Sequence, residues 1–137
     1  MRIVLDSNIL FSALIKDSFV RRIILEYEGK FLFPSFVFEE LVEHKDELMS
    51  KSGLNSDEFD SLLDTILRKV EIVHSSALEM HKKRSFEIMK DIDKDDVLFV
   101  ACALAYPESV IWSDDKHLKK QKEIEVRTTN EIKSILS

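Results

Sequence analysis

Residues 2–10 read RIVLDSNIL. An apolar run, Ile3-Val4-Leu5, stops at Asp6-Ser7-Asn8, and apolar residues resume at Ile9, Leu10 and Phe11. An unbroken apolar run fits a strand buried on both faces, as in a parallel sheet. Helical material begins at Ser7 or Asn8 and runs, broken near Asp17, to about Glu28, with Gly29 at its end. A carboxylate and an amide side by side at the end of such a strand call for a reason beyond packing.

The same alternation continues along the chain. Phe31-Leu32-Phe33 predicts a second strand, and Pro34 opens a helix to about Met49. Ser52-Gly53 is a break. Asn55 with Glu58 has the spacing of a capping box for a helix ending near Lys69. Val70 to Val73 predicts a third strand, and Ser75 or Ser76 begins a helix to about Met89. Asp91 to Asp96 is an acidic turn before an apolar helix over 96–105. Val110-Ile111-Trp112 predicts a fourth strand, residues 115–122 a short helix and residues 125–127 a last strand. Thr128 with Glu131 caps a C-terminal helix.

Strands alternating with helices imply a parallel sheet covered by helices on both faces. The expected fold class is therefore α/β, a three-layer α/β/α sandwich with about five parallel strands, as a single domain over residues 1–137. Open sheets of this kind place their sites at the carboxyl ends of the strands. That directs attention to the residues directly after each strand.

Those residues are acidic. Asp6 follows the first strand, and Ser113-Asp114-Asp115 follows the fourth. Asp91, Asp93, Asp95 and Asp96 open the apolar helix, and Glu39-Glu40 lie on the helix after Pro34. Converging carboxylates repel one another and lose hydration unless a cation joins them. Oxygen-only ligands favour a hard cation such as Mg²⁺ or Mn²⁺, which commonly bridges carboxylates to substrate phosphates. Such an ion supplies an activated water and neutralises charge on an attacked phosphodiester. Each acid also has a plainer use. Asp6, Asp93, Asp95 and Asp115 can serve as helix caps, and Glu39 and Glu40 as a solvated helix face. Spacing alone does not choose Glu40 over Glu39, or Asp96 over Asp95.

Four segments, in order, resemble the motifs of the PIN-domain ribonuclease family. RIVLDSNIL resembles its opening strand followed by D-[ST]-N. FPSFVFEELVEH resembles its second motif, a Glu followed by Leu, which selects Glu40. DKDDVLFVACALA resembles the third, which selects Asp96 and leaves Asp93 as competitor or helper. VIWSDDKHL resembles the fourth, an apolar strand and then [ST]-x-D-K-x-[LF], which selects Asp115. Ser7 and Ser113 stand where threonine is commoner and keep the hydroxyl, and Asp114 occupies a variable position.

The resemblance implies that Asp6, Glu40, Asp96 and Asp115 line a site for one or two Mg²⁺ or Mn²⁺ ions. Asn8 and Ser113 are expected to support these acids by hydrogen bonds. It further implies metal-dependent cleavage of RNA, leaving a 5′-phosphate and a 3′-hydroxyl. Many small single-domain members are toxins of VapBC-type toxin–antitoxin pairs, silenced by a cognate antitoxin and often dimeric. The expected partners are thus RNA substrate, a cognate antitoxin protein and a second copy in a homodimer. The alternative within the family is a non-catalytic PIN module that binds RNA or a protein partner. A small-molecule phosphohydrolase with an aspartyl nucleophile is disfavoured, because position 8 is Asn8 and no D-x-D follows the first strand.

Composition sets the outer bounds. The chain has 137 residues, 45% of them hydrophobic, enough for a core without staples. A single cysteine, Cys102, excludes a disulfide framework and a Cys-based zinc site and reads as a small core residue. No run approaches a membrane span and no signal peptide precedes the first strand, so a cytoplasmic protein is expected. The formal net charge of -6 argues against a simple basic nucleic-acid-binding surface, though carboxylates that hold metal would contribute to it. Basic clusters occur at Arg21-Arg22 and Lys82-Lys83-Arg84, and at Lys116, Lys119, Lys120 and Lys122. The last follows the fourth motif, and Lys116, Lys119 and Lys120 are the candidate grip on an RNA backbone. His44, His74, His81 and His117 share no metal-ligand spacing and read as surface or helix-end residues. Phe31, Phe33, Phe36 and Phe38 read mostly as core, with Phe36 or Phe38 available to a partner subunit.

Overall fold

A computed structural model describes residues 1–92 and 96–136. Asp93, Lys94 and Asp95 in the third motif lie outside the described residues, so the sequence reading of Asp93 and Asp95 stays where the motif left it.

Among the described residues five strands form one parallel sheet in the order β3-β2-β1-β4-β5. They are β1 (Ile3–Leu5), β2 (Phe31–Pro34), β3 (Val70–Val73), β4 (Val110–Trp112) and β5 (Val126–Arg127). Leu5 pairs with Trp112 in the β1–β4 register, and Trp112 with Arg127 in the β4–β5 register. The three residues of β1 and the three of β4 are all buried, which is what the unbroken runs IVL and VIW require. The chain builds outward from β1 through β2 to β3, then returns to β1's other side to add β4 and β5. The order therefore reverses between β1 and β4, and the crevice at a parallel sheet's carboxyl edge opens at such a reversal.

Helices cover both faces in an α/β/α sandwich, the expected fold class. Between β1 and β2 lie α1 (Ser7–Ile15) and α2 (Phe19–Glu26), separated at Lys16 to Ser18, where the break near Asp17 is expected. Arg21 ends α1 firmly by donating to the carbonyls of Ala13 (2.7 Å) and Leu14 (3.2 Å). After α2 the Tyr27 ring folds over Gly29 so closely that a Cβ there would lie 2.5 Å from ring atoms, and any larger residue would require the ring to move.

The single helix expected from Pro34 to Met49 is two helices, α3 (Ser35–Glu43) and α4 (Lys45–Ser52). They meet at His44, whose backbone (φ -100, ψ 10) leaves the helical region. Gly53 then ends α4 at φ 71, a left-handed angle suited to glycine. Asn55 and Glu58 form the expected capping box on α5 (Ser56–Leu67). The helix expected to Met89 is interrupted: α6 (Ser75–Leu78), a 3-10 turn at Glu79–His81, and α7 (Lys82–Met89). The apolar helix α8 (Val97–Ala105) is buried at Phe99, Val100, Ala101, Cys102 and Ala103. A short helix is expected over 115–122, but only Leu118–Lys120 form a 3-10 turn, because Gln121 is extended (ψ 152) and folds its amide onto the carbonyls of Leu118 and Ile124. The chain closes with α9 (Thr129–Leu136), started by the expected Thr128–Glu131 box. Among the described residues no helix is long and apolar enough to cross a membrane.

Candidate active site

Asp6 ends β1 and caps α1. Its Oδ1 accepts from the main-chain N–H of Asn8 at 2.7 Å, as an N-cap carboxylate does. Capping alone leaves Oδ2 unexplained. That oxygen accepts from the hydroxyl of Ser113, at the end of the neighbouring strand β4. The Leu5–Trp112 register makes this contact possible, since it places the next residues of each strand, Asp6 and Ser113, side by side. Ser113 Oγ in turn accepts from the main-chain N–H of Asp115 at 3.0 Å. One fully buried hydroxyl thus ties together the two acids that the first and fourth motifs select.

Asp6 is only 6% exposed. Burial pushes its carboxyl above the usual carboxylate range, against the hydrogen bonds from Ser113 and from the main chain of Asn8 and Ile9. The charge of Asp115 adds a push in the same direction. A carboxylate so placed is costly as an anion and would gain from a nearby cation.

Glu40, on α3, is joined to the same edge by the Ser7 hydroxyl, which donates to its Oε1 at 2.9 Å. The contact spans Ser7 at the start of α1 and a helix beyond β2, so neither partner is visible from local spacing. Asp96 is buried at the N-terminal boundary of α8. As the crossover helix into β4, α8 runs back over the sheet, which brings its N-terminal end to the strands' carboxyl edge. Glu39 is exposed.

Three residues around the site differ in detail from their sequence reading. Asn8 holds Asp6 through its main-chain N–H, while its side chain is exposed and lines the cleft. Asp114, at the variable position, accepts from the Thr129 N–H (2.7 Å) and hydroxyl (2.6 Å), so it fastens the site loop to α9. Trp112 Nε1 donates to the same hydroxyl at 3.0 Å. His117 donates its main-chain N–H to Asp115 Oδ1 (2.9 Å), and its Nδ1 lies 3.1 Å from that oxygen. The Asp115-x-His117 spacing is the one sequence signal that could have placed this histidine.

The basic candidates separate as well. Lys116 and Lys120 are exposed, but Lys119 is paired with Glu131. Among the other clusters, Arg84 pairs with Glu123 and Lys82 with Glu79, the ordinary behaviour of surface charge.

Asp6, Asp114 and Asp115 line a cleft of about 320 Å³ with Asn8 and Ser12. A larger cavity of about 600 Å³ lies between α2 and α9, and its lining holds none of the four acids. Among the described residues, no group of three or more His, Cys, Asp or Glu stands close enough to hold a metal ion. Mg²⁺ often needs only one or two carboxylates and keeps water in its other positions. The all-oxygen pair Asp6 and Asp115, with Asp6 buried and short of charge compensation, fits that chemistry.

Comparison with known proteins agrees with the architecture. No curated protein matches the chain. Among solved structures, a similar one is the crystal structure of VapBC2 from Rickettsia felis bound to a DNA fragment from their promoter. It superposes with a TM-score of 0.68 at 19% identity, over 93% of this chain and 98% of that one. The family model described as PIN domain matches residues 4–137, and the chain accordingly belongs to the PIN-domain family, a family of nuclease type.

Proposed function

We propose that the protein is a metal-dependent endoribonuclease, acting as one PIN-like domain over residues 1–137 in the cytoplasm. Asp6, Glu40, Asp96 and Asp115 are its catalytic and metal-holding residues, with Mg²⁺ or Mn²⁺ as cofactor. The observation that carries this reading is the Asp6–Ser113–Asp115 link: one buried hydroxyl donates to the Asp6 carboxylate and accepts from the main-chain N–H of Asp115, so it holds two acids from adjacent strand ends side by side.

When bound, the ion supplies an activated water and neutralises charge on the scissile phosphate. The chain's own residues do the rest. Ser113 and the Asn8 N–H fix both oxygens of Asp6, so this ligand is oriented before substrate arrives. The Ser113 contact to the Asp115 N–H fixes the turn that carries Asp115. Ser7 engages Glu40 at Oε1, which leaves Oε2 to accept a proton. Lys116 and Lys120 are the exposed cations beside Asp115 that can meet the RNA backbone, with Lys119 contributing if it leaves Glu131. The products are a 5′-phosphate and a 3′-hydroxyl.

The family and the fold shared with a VapBC2 complex support a cognate antitoxin as protein partner, and a homodimer with Phe38 among the exposed apolar residues. A second reading, a non-catalytic module that binds RNA or protein, draws on the absence of a closed three-ligand group among the described residues. Calorimetry with Mn²⁺ separates the two. The nuclease reading expects saturable binding that Asp6→Asn weakens, and cleavage products that accept ligation at their 5′-phosphate. No metal binding by the intact chain favours the second reading.

A further inference from the structure

Asn8 and Ser12, which line the acid cleft, both lie on α1. Asn8 and Ser12 also line a second cleft of about 360 Å³ that runs along α1 to α4. Asn8, Phe11, Ser12 and Ile15 follow i, i+3, i+4, i+7 spacing, so one stripe of α1 forms one wall. His44, at the α3–α4 bend, stands opposite. Its ring meets Phe11 edge-on, with centroids 6.4 Å apart and planes at 67°. Both side chains are only partly buried. The volume lies at the small end of ligand cavities, roughly 300–1,000 Å³.

The charge in this cleft is compensated. Glu47 pairs with Lys51 at 2.9 Å and lies 3.7 Å from His44 Nδ1. A second phosphate would therefore find no spare cation there, whereas an uncharged planar group would find two aromatic rings. Asn8 offers an amide and Ser12 a hydroxyl at the mouth, each able to donate and accept. An occupant of this cleft lies next to the acid cleft, because both are lined by Asn8 and Ser12.

We propose that this cleft is a nucleobase subsite. It takes one unstacked base of a single-stranded RNA, adjacent to a phosphate at the proposed Asp6–Asp115 metal site, stacks it on the Phe11 face and meets the His44 ring at its edge. Single-stranded recognition ordinarily uses such splayed bases on Phe and His rings. The assignment rests on the nuclease reading for its ligand.

The test is NMR of the full chain with Mg²⁺ present, titrated with adenosine 5′-monophosphate, uridine 5′-monophosphate and ribose 5-phosphate. Both nucleotides should shift the Phe11 and His44 ring resonances, and ribose 5-phosphate should not. Phe11 packs on the core, so Phe11→Leu, which keeps an apolar filling, is preferred to alanine. Phe11→Leu should weaken nucleotide binding at least about fivefold, the lower bound for loss of a base–aromatic stack, with Mg²⁺ affinity unchanged. Phe11→Tyr should restore it. Shifts confined to the acid cleft, equal for all three probes, would overturn the subsite and leave this cleft to a protein partner. The readout does not need turnover. RNA cleavage without base binding overturns the subsite alone, and base binding without cleavage overturns the nuclease reading alone.

Discussion

Asp6→Asn should abolish activity and make the protein more stable. The carboxylate is 6% exposed, and its burial outweighs the hydrogen bonds that favour the charged form, since the carboxyl is held above its ordinary range. Asparagine keeps the Oδ1 acceptor for the Asn8 N–H and removes the buried charge and its repulsion by Asp115. It replaces the Oδ2 acceptor of the Ser113 hydroxyl by a donor, which offsets part of the gain. A single stabilising substitution commonly returns about 0.5–2 kcal/mol. For a chain of this size that raises the thermal midpoint by roughly 2–7 °C. The pH dependence identifies the cause. A folded carboxyl raised above its unfolded value of 3.8 gives stability that is fully present below that value and lost as pH rises through the folded value. Wild type and Asp6→Asn should therefore converge in acid and separate toward neutral pH, with the variant above. Thermal melts in EDTA at about pH 3.5 and pH 7 would show this. A variant less stable than wild type at neutral pH would refute the reasoning, because the hydrogen bonds to the carboxylate would then outweigh its burial.

Ser113→Ala should cost about 1–3 kcal/mol, because Asp6 loses a buried donor and the Asp115 N–H loses its acceptor; denaturant melts check this, and Ser113→Thr should recover most of it. Mn²⁺ should raise the thermal midpoint of wild type and not that of Asp6→Asn, since only a ligand that binds the folded state stabilises it; equal shifts in both would place the ion elsewhere. Burial, with a contribution from Glu71, pushes the Cys102 thiol up to about 12, so it should resist alkylation at pH 8 until the chain unfolds. Glu108 sits at φ 69 after Pro107, in a turn closed by the Ser109 N–H on the Tyr106 carbonyl at 3.2 Å. Glycine is preferred at such a position, so Glu108→Gly should stabilise the fold by about 0.5–1 kcal/mol in the same melts.

The sheet was legible because burial on both faces leaves a mark that needs no partner: IVL and VIW are apolar at every position. Asp6 and Asp115 were legible for a related reason, since polar residues directly after such runs fall at the crevice edge. What the sequence could not show were links between distant segments. Ser7 reaches Glu40 across β2, and Asp114 reaches Thr129 across β5. Asp114 therefore read as a spare acid when it is a fastening for α9. Helix interruptions were missed where nothing local announces them. His44 is neither glycine nor proline, and its bend is accompanied by the ring of Phe11, far off in the chain. Lys119 read as a free cation because its partner, Glu131, lies on the next helix.

The measurement that bears most directly on the central claim is cleavage of a broad RNA set by the purified chain. It is run with Mn²⁺ or Mg²⁺, with EDTA, and with Asp6→Asn in parallel. The account predicts cleavage that requires both the metal and Asp6, with the variant folded and at least as stable as wild type. Cleavage that persists in EDTA, or in the folded Asp6→Asn protein, would contradict it.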